Sequence, residues 1–195
     1  MRKALNTTVR YGWLSVALHW LMLLLLVAVY TCILLTDSFP KGSDTREMLK
    51  TWHYILGLTV FALVGVRLIA TRVSPTPVIE PPIARWQDKA AKVVHALLYV
   101  LMFAMPLLGW LILSAAGKPI PFYGWQLPAL TAENKGLAET VKEVHEAGAT
   151  VIYFLVGMHA IAALYHHYFY ATTHCGACCH EQLTRRYDQG RNWWK

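Results

Sequence analysis

The sequence predicts an all-α protein, a transmembrane four-helix bundle with both termini in the cytoplasm. Three observations carry this. First, 56% of the 195 residues are apolar and mean hydropathy is +0.36, more than a soluble domain of this length sustains. Second, four runs, Trp13–Leu35, Trp52–Ala70, Val93–Leu113 and Val144–Tyr170, reach or approach the ~20 apolar residues that a bilayer core demands. Third, charge is asymmetric. The N-terminal tail, the segment Arg67–Lys92 and the C-terminal tail hold 12 of the 18 Lys and Arg, and only four of the 11 acids. The basic side is cytoplasmic by the positive-inside rule. The net charge of +7 therefore reads as topology and lipid contact. No nucleic-acid motif accompanies it.

The first run follows Arg2 and Lys3, as a secretory leader would. This 23-residue apolar run exceeds the ~7–15 of a leader's core, and no A-x-A site follows, so it reads as a retained helix running outward. The polar turn D-S-F-P-K-G-S-D-T-R-E leads into the second helix, which runs inward to Arg67 and Arg72. Four prolines in S-P-T-P-V-I-E-P-P make the next linker extended. The third helix runs outward, with Pro106 and Gly109 marking a kink. The outer loop Ala115–Glu143, with Pro119, Pro121, Phe122, Trp125 and Pro128, reads as a cap lying on the membrane surface. The fourth helix runs inward. The expectation is one domain over residues 1–195, with a bundle over about 11–170 and a cytoplasmic tail over about 171–195.

The histidines carry the chemistry. His145 and His159 lie fourteen residues apart in the fourth run. At about 100° and 1.5 Å per residue they share one helix face, about 21 Å apart. Ionisable groups at membrane depth are costly and mark a relay, a ligand or a counter-ion. By depth, His53 on the second helix matches His145 near the outer side, and His19 on the first matches His159 near the inner side. Two bis-imidazole haem sites across a membrane need this layout, with both axial positions filled and none left for O₂. A zinc site would need its ligands at one depth, which these spacings deny. Gly57, Gly148 and Gly157 lie near the ligands and read as room for a flat macrocycle. Arg67, fourteen residues after His53, falls at the inner depth and could pair a propionate; an inside-positive anchor is the alternative. His166, seven after His159, could meet a propionate or a quinone headgroup. His95, near the inner end of the third helix, is a core histidine or a second quinone contact. His167 sits at the wet end of the fourth helix.

The chain resembles the bacterial cytochrome b561 family of di-haem four-helix membrane proteins. The motifs are L-H-W at Leu18–Trp20, W-H at Trp52–His53, V-R-L at Val66–Leu68, S-P-T-P from Ser74, M-P-L-L-G at Met105–Gly109 and the stretch His145–Phe169. The resemblance implies two b-type haems, ligated by His19 with His159 and by His53 with His145, in the bacterial inner membrane. It also implies exchange of electrons with ubiquinone. Short members resemble superoxide oxidase, which oxidises superoxide at the periplasmic side and reduces ubiquinone. The alternative is a cytochrome b membrane subunit, relaying electrons between a periplasmic dehydrogenase or cytochrome c and the quinone pool. The tail departs from the family pattern. T-H-C-G-A-C-C-H-E sets Cys175, Cys178 and Cys179 between His174 and His180, a cluster that could bind zinc, act as a redox pair or stay unliganded. Cys32 reads as core packing. No C-x-x-C-H occurs, so haem attachment is expected to be non-covalent.

Overall fold

The computed structural model describes residues 4–8, 10–77 and 84–169. Four long helices dominate: α1 (Trp13–Leu35), α2 (Asp44–Arg72), α3 (Arg85–Ala115) and α4 (Lys135–Phe169). A 3₁₀ turn, Thr36–Ser38, follows α1, and a hairpin of β1 (Ile120–Phe122) and β2 (Trp125–Leu127) precedes α4. All four helices are long and apolar enough to cross a membrane. The α1 boundaries coincide with its apolar run. The other three begin eight or nine residues before theirs. Hydropathy marks only the part in lipid, whereas a helix continues until a cap stops it. Ser43 caps α2 through Arg46 N (3.4 Å), and Asn134 Oδ1 accepts from Leu137 N (3.0 Å) at the start of α4. Helix α3 continues through Pro106 without interruption.

Consecutive helices pack side by side: α1 on α2, α2 on α3, α3 on α4. One core cluster, Met22, Val60 and Val64, joins α1 to α2, with Tyr99 and Met102 of α3 against it. A second joins Leu58 of α2, Leu113 of α3 and Ile120 of the hairpin. Helix α4 buries Ile152 and Leu155 but exposes Tyr153, Phe154, Ile161 and Leu164. Such an apolar exterior suits lipid as solvent. Tyr30 of α1 reaches α4 by donating its hydroxyl to the Ala149 carbonyl (2.6 Å).

The ends are tied by polar contacts. Arg46 donates to the carbonyls of Thr36 and Phe39 (2.9 Å for the latter) and pairs with Asp37 (3.3 Å). It thereby satisfies carbonyls that the end of α1 leaves open. At the other end, residues 4–8 and 10–12 fold back over the start of α1. Asn6 Oδ1 accepts from Gly12 N (2.9 Å) and Ser15 Oγ (2.7 Å). A Cβ at Gly12 would lie 2.2 Å from the Ala4 carbonyl oxygen, so only glycine fits there.

The segment expected to be a plain surface cap contains the hairpin. Tyr123 (φ 45°) and Gly124 (φ 86°) form its tip, the two-residue turn with both φ positive that matches strand twist. Ile120 is buried against α2 and α3, and the Tyr123 hydroxyl sits 3.1 Å from Thr59 Oγ1 of α2. The cap is thus packed onto the bundle. Trp110 Nε1 donates to the Pro128 carbonyl (2.9 Å) and Leu130 N to Ser114 Oγ (3.1 Å), which fixes the remainder of the loop.

Candidate functional site: two histidine pairs

Two pairs of imidazoles face each other across the bundle. His53 of α2 meets His145 of α4 at the hairpin end, with ring centroids 6.4 Å apart and planes at 72°. His19 of α1 meets His159 of α4 at the other end, 6.3 Å apart and also at 72°. Along α4 the pairs are separated by fourteen residues, about 21 Å.

These separations have a chemical meaning. Metal–imidazole bonds run about 2.0–2.1 Å, and a ring centroid sits about 1.1 Å from its own nitrogen, so two imidazoles on opposite sides of one metal hold their centroids about 6.3 Å apart. Both pairs stand at that spacing. The residues present thus fit a haem at each pair: His53 with His145, and His19 with His159, would hold it, and it would supply one-electron redox chemistry there.

Hydrogen bonding supports the fit at the hairpin end. His53 Nδ1 lies 3.0 Å from the Val29 carbonyl oxygen of α1. A carbonyl only accepts, so Nδ1 carries the proton and the Nε2 lone pair is free. A ligating histidine usually has this second contact. His145 Nδ1 is buried near the Met105 backbone, outside full hydrogen-bond geometry.

The glycines behave differently from one another. At Gly57, one turn from His53, an added Cβ would meet nothing within 4 Å, which leaves room beside that ring. Gly148 is instead filled: a Cβ there would lie 2.6 Å from Met105 Sδ, so this glycine serves the approach of α3 to α4. Gly157 is exposed; two residues from His159 it points about 160° away on the helix, so it does not flank that ring. Gly109, expected only at a kink, lies under His145, where a Cβ would sit 3.6 Å from its Cε1.

At the other end the cluster is larger. His95 of α3 approaches His159 with centroids 5.2 Å apart. Arg67 of α2 lies close enough for its charge to act on both His19 and His159. Its Nε donates to the Tyr99 hydroxyl (3.0 Å), while its Nη1 is buried without a hydrogen-bond partner. A desolvated guanidinium donor of this kind calls for an anionic acceptor. His166 lies two turns further along α4, with its Nδ1 buried; His167 is exposed beside Tyr168. Among the described residues, no group of three His, Cys, Asp or Glu could hold a metal ion by itself. Cys175, Cys178 and Cys179 lie outside the described residues.

Sequence reasoning did not find Tyr99, Val29 or Tyr30. Tyr99 was within reach, since it follows His95 by four residues and so shares its face. Tyr30 follows His19 by eleven, about 20° from its azimuth. Val29 contributes a backbone carbonyl, which leaves no trace in a side-chain pattern.

Comparison with known proteins agrees with this architecture. Residues 10–174 match the family model of prokaryotic cytochrome b561. The chain is 37% identical over 159 residues to cytochrome b561 homolog 1 of Escherichia coli, covering 82% of this chain and 90% of the relative. It is 33% identical to the probable superoxide oxidase CybB of Yersinia pestis, over 82% of this chain and 89% of that protein. Cytochrome b561 homolog 2 of Escherichia coli is 30% identical over 84% of this chain and 87% of its own length. Membership of this family implies b-type haem, electron transfer and residence in the bacterial inner membrane as a multi-pass protein. The chain belongs to the prokaryotic cytochrome b561 family.

Proposed function

We propose that the protein is a superoxide:ubiquinone oxidoreductase of the bacterial inner membrane, holding one haem b between His53 and His145 and a second between His19 and His159. The single observation that carries this is the pair of imidazole couples at 6.4 and 6.3 Å, about 21 Å apart across the bundle. Bound there, haem supplies one-electron redox chemistry with no open coordination site for O₂. Two intermediate stations divide a crossing that one tunnelling step would make slowly. The net reaction balances as two superoxide anions oxidised to O₂ for one ubiquinone reduced, with two protons taken up.

The hairpin end is read as periplasmic and the Arg67 end as cytoplasmic, from the charge asymmetry. At the hairpin end Lys50 is paired with Glu47 (2.6 Å), less than two turns from His53, and Lys118 lies near the same carboxylate, so the three together keep one net positive charge for an incoming anion. Arg46 is committed to carbonyls and Asp37, and Lys142 to Glu146 (3.3 Å). At the cytoplasmic end Arg67, with its free Nη1, holds a haem propionate. His166 and His95 serve the quinone: an imidazole there hydrogen-bonds the headgroup and passes it a proton. The partners are thus superoxide on one side, and lipid and the quinone pool on the other.

The test uses the purified protein with no other subunit. Enzymatically generated superoxide is supplied together with a ubiquinone analogue, and quinol formation is followed. Quinol formation above the uncatalysed rate, lost in His53→Ala, supports the proposal. A protein that carries haem but stays inert until a periplasmic dehydrogenase or cytochrome c is added is the relay subunit instead.

A further inference from the structure

Within the reading of His53 and His145 as an axial pair, we infer that Tyr30 is a positioning residue that sets their separation. Two adjacent residues of α1 reach both partners. The Val29 carbonyl fixes His53 Nδ1 at 3.0 Å, and the Tyr30 hydroxyl donates to Ala149 O at 2.6 Å. Ala149 follows His145 by one helical turn, so this bond holds α4 at the level of the His145 ring.

The strut is needed because of how the bundle packs. α1 lies on α2 and α3 on α4, while α1 and α4 share little surface. His145 must nevertheless stay 6.4 Å from a ring on α2. Helix α4 is held from the α3 side by Met105 pressed into Gly148 and by Gly109 under the His145 ring. Those contacts are van der Waals and tie α4 to α3, not to the α1–α2 side that carries His53. The Tyr30 bond is directional, sits at the hairpin-end pair, and emanates from the same turn of α1 that orients His53. Movement of that turn therefore displaces both rings together and preserves their distance. The other pair lies ten or eleven residues from this bond on each helix, about 15 Å along the axes, so it feels the bond far less.

A donor to Ala149 O adds to the helix's own bonding, so α4 does not require Tyr30 to form. Phe at this position keeps the ring and its packing and removes one hydroxyl. Tyr30→Phe is accordingly expected to fold, to insert and to retain two haems as isolated. Loss of a group bonded directly to a ligand commonly weakens a metal site about 10–100-fold; Tyr30 acts one step further out, through the Ala149 backbone, so the low end of that range is expected. With excess apomyoglobin as acceptor in detergent, one haem of the two should leave about tenfold faster than in the parent protein, and the other at an unchanged rate. The low-spin electron paramagnetic resonance signal removed by His53→Ala should shift in Tyr30→Phe, and the signal removed by His19→Ala should not. Cys32→Ala, also on α1, serves as a control that changes neither.

Unchanged haem loss and unchanged signals would overturn the inference while leaving the axial assignment intact. Equal acceleration of both haems would also overturn it, since that is general loosening. A protein whose haem content does not respond to His53→Ala or His145→Ala fails at the underlying reading instead.

Discussion

Three histidines crowd the Arg67 end of the bundle, and under the proposed function their spacing predicts which two would hold the haem there. Suppose an iron lay equidistant from the nitrogens of two imidazoles, with each ring centroid about 3.1–3.2 Å from the metal. At 6.3 Å, His19 and His159 subtend close to 180° at that metal. At 5.2 Å, His95 and His159 subtend only about 110° with the same bond length of about 2 Å. A haem would accept the pair near 180° and would exclude the pair at the smaller angle. His19→Ala should therefore lower haem content from two per chain to one, whereas His95→Ala should leave two. The assay is pyridine haemochrome against protein concentration, with a reduced-minus-oxidised spectrum to identify the surviving haem. To separate lost ligation from lost folding, His19→Gly is measured with and without free imidazole, which should restore the second haem. Two haems in His19→Ala beside one in His95→Ala would refute the reasoning.

At the hairpin end, His53→Ala and His145→Ala should each remove the other haem and spare the one bound by His19, read in the same assay. Gly57→Leu should fill the space beside His53, lowering haem content while the apoprotein still inserts; Gly148→Leu, driven into Met105 Sδ, should instead lower the yield of folded protein. Arg67→Gln should lower the midpoint potential of the haem near it, since a nearby positive charge favours the reduced, less positive iron; potentiometric titration should show the other haem unmoved. His166→Ala should keep both haems yet slow reoxidation of the reduced protein by a ubiquinone analogue in stopped flow. Tyr123→Phe removes the Thr59 contact and should cost about 0.5–1.5 kcal/mol of stability, seen as a lower thermal midpoint with haem content unchanged.

The primary structure alone determined the four spans, because solvation in lipid is decided residue by residue and needs no knowledge of neighbours. It also determined that His145 and His159 share a face fourteen residues apart, because helix geometry converts spacing into azimuth and depth. Matching His53 to His145 and His19 to His159 needed only those depths and alternating helix directions. What escaped was whatever depends on the lateral arrangement of the helices. Depth places both His19 and His95 near His159, and only packing brings one to 6.3 Å and the other to 5.2 Å. Gly57 and Gly148 look alike in a sequence, yet one faces open space and the other Met105. The hairpin gave itself away only through Tyr123-Gly124, a weak turn signal with tyrosine at a positive φ, and its docking on Thr59 is a contact between residues 64 apart. The Val29 carbonyl that orients His53 is a backbone atom, chemically the same at every position, so only the tertiary structure could say that this one matters.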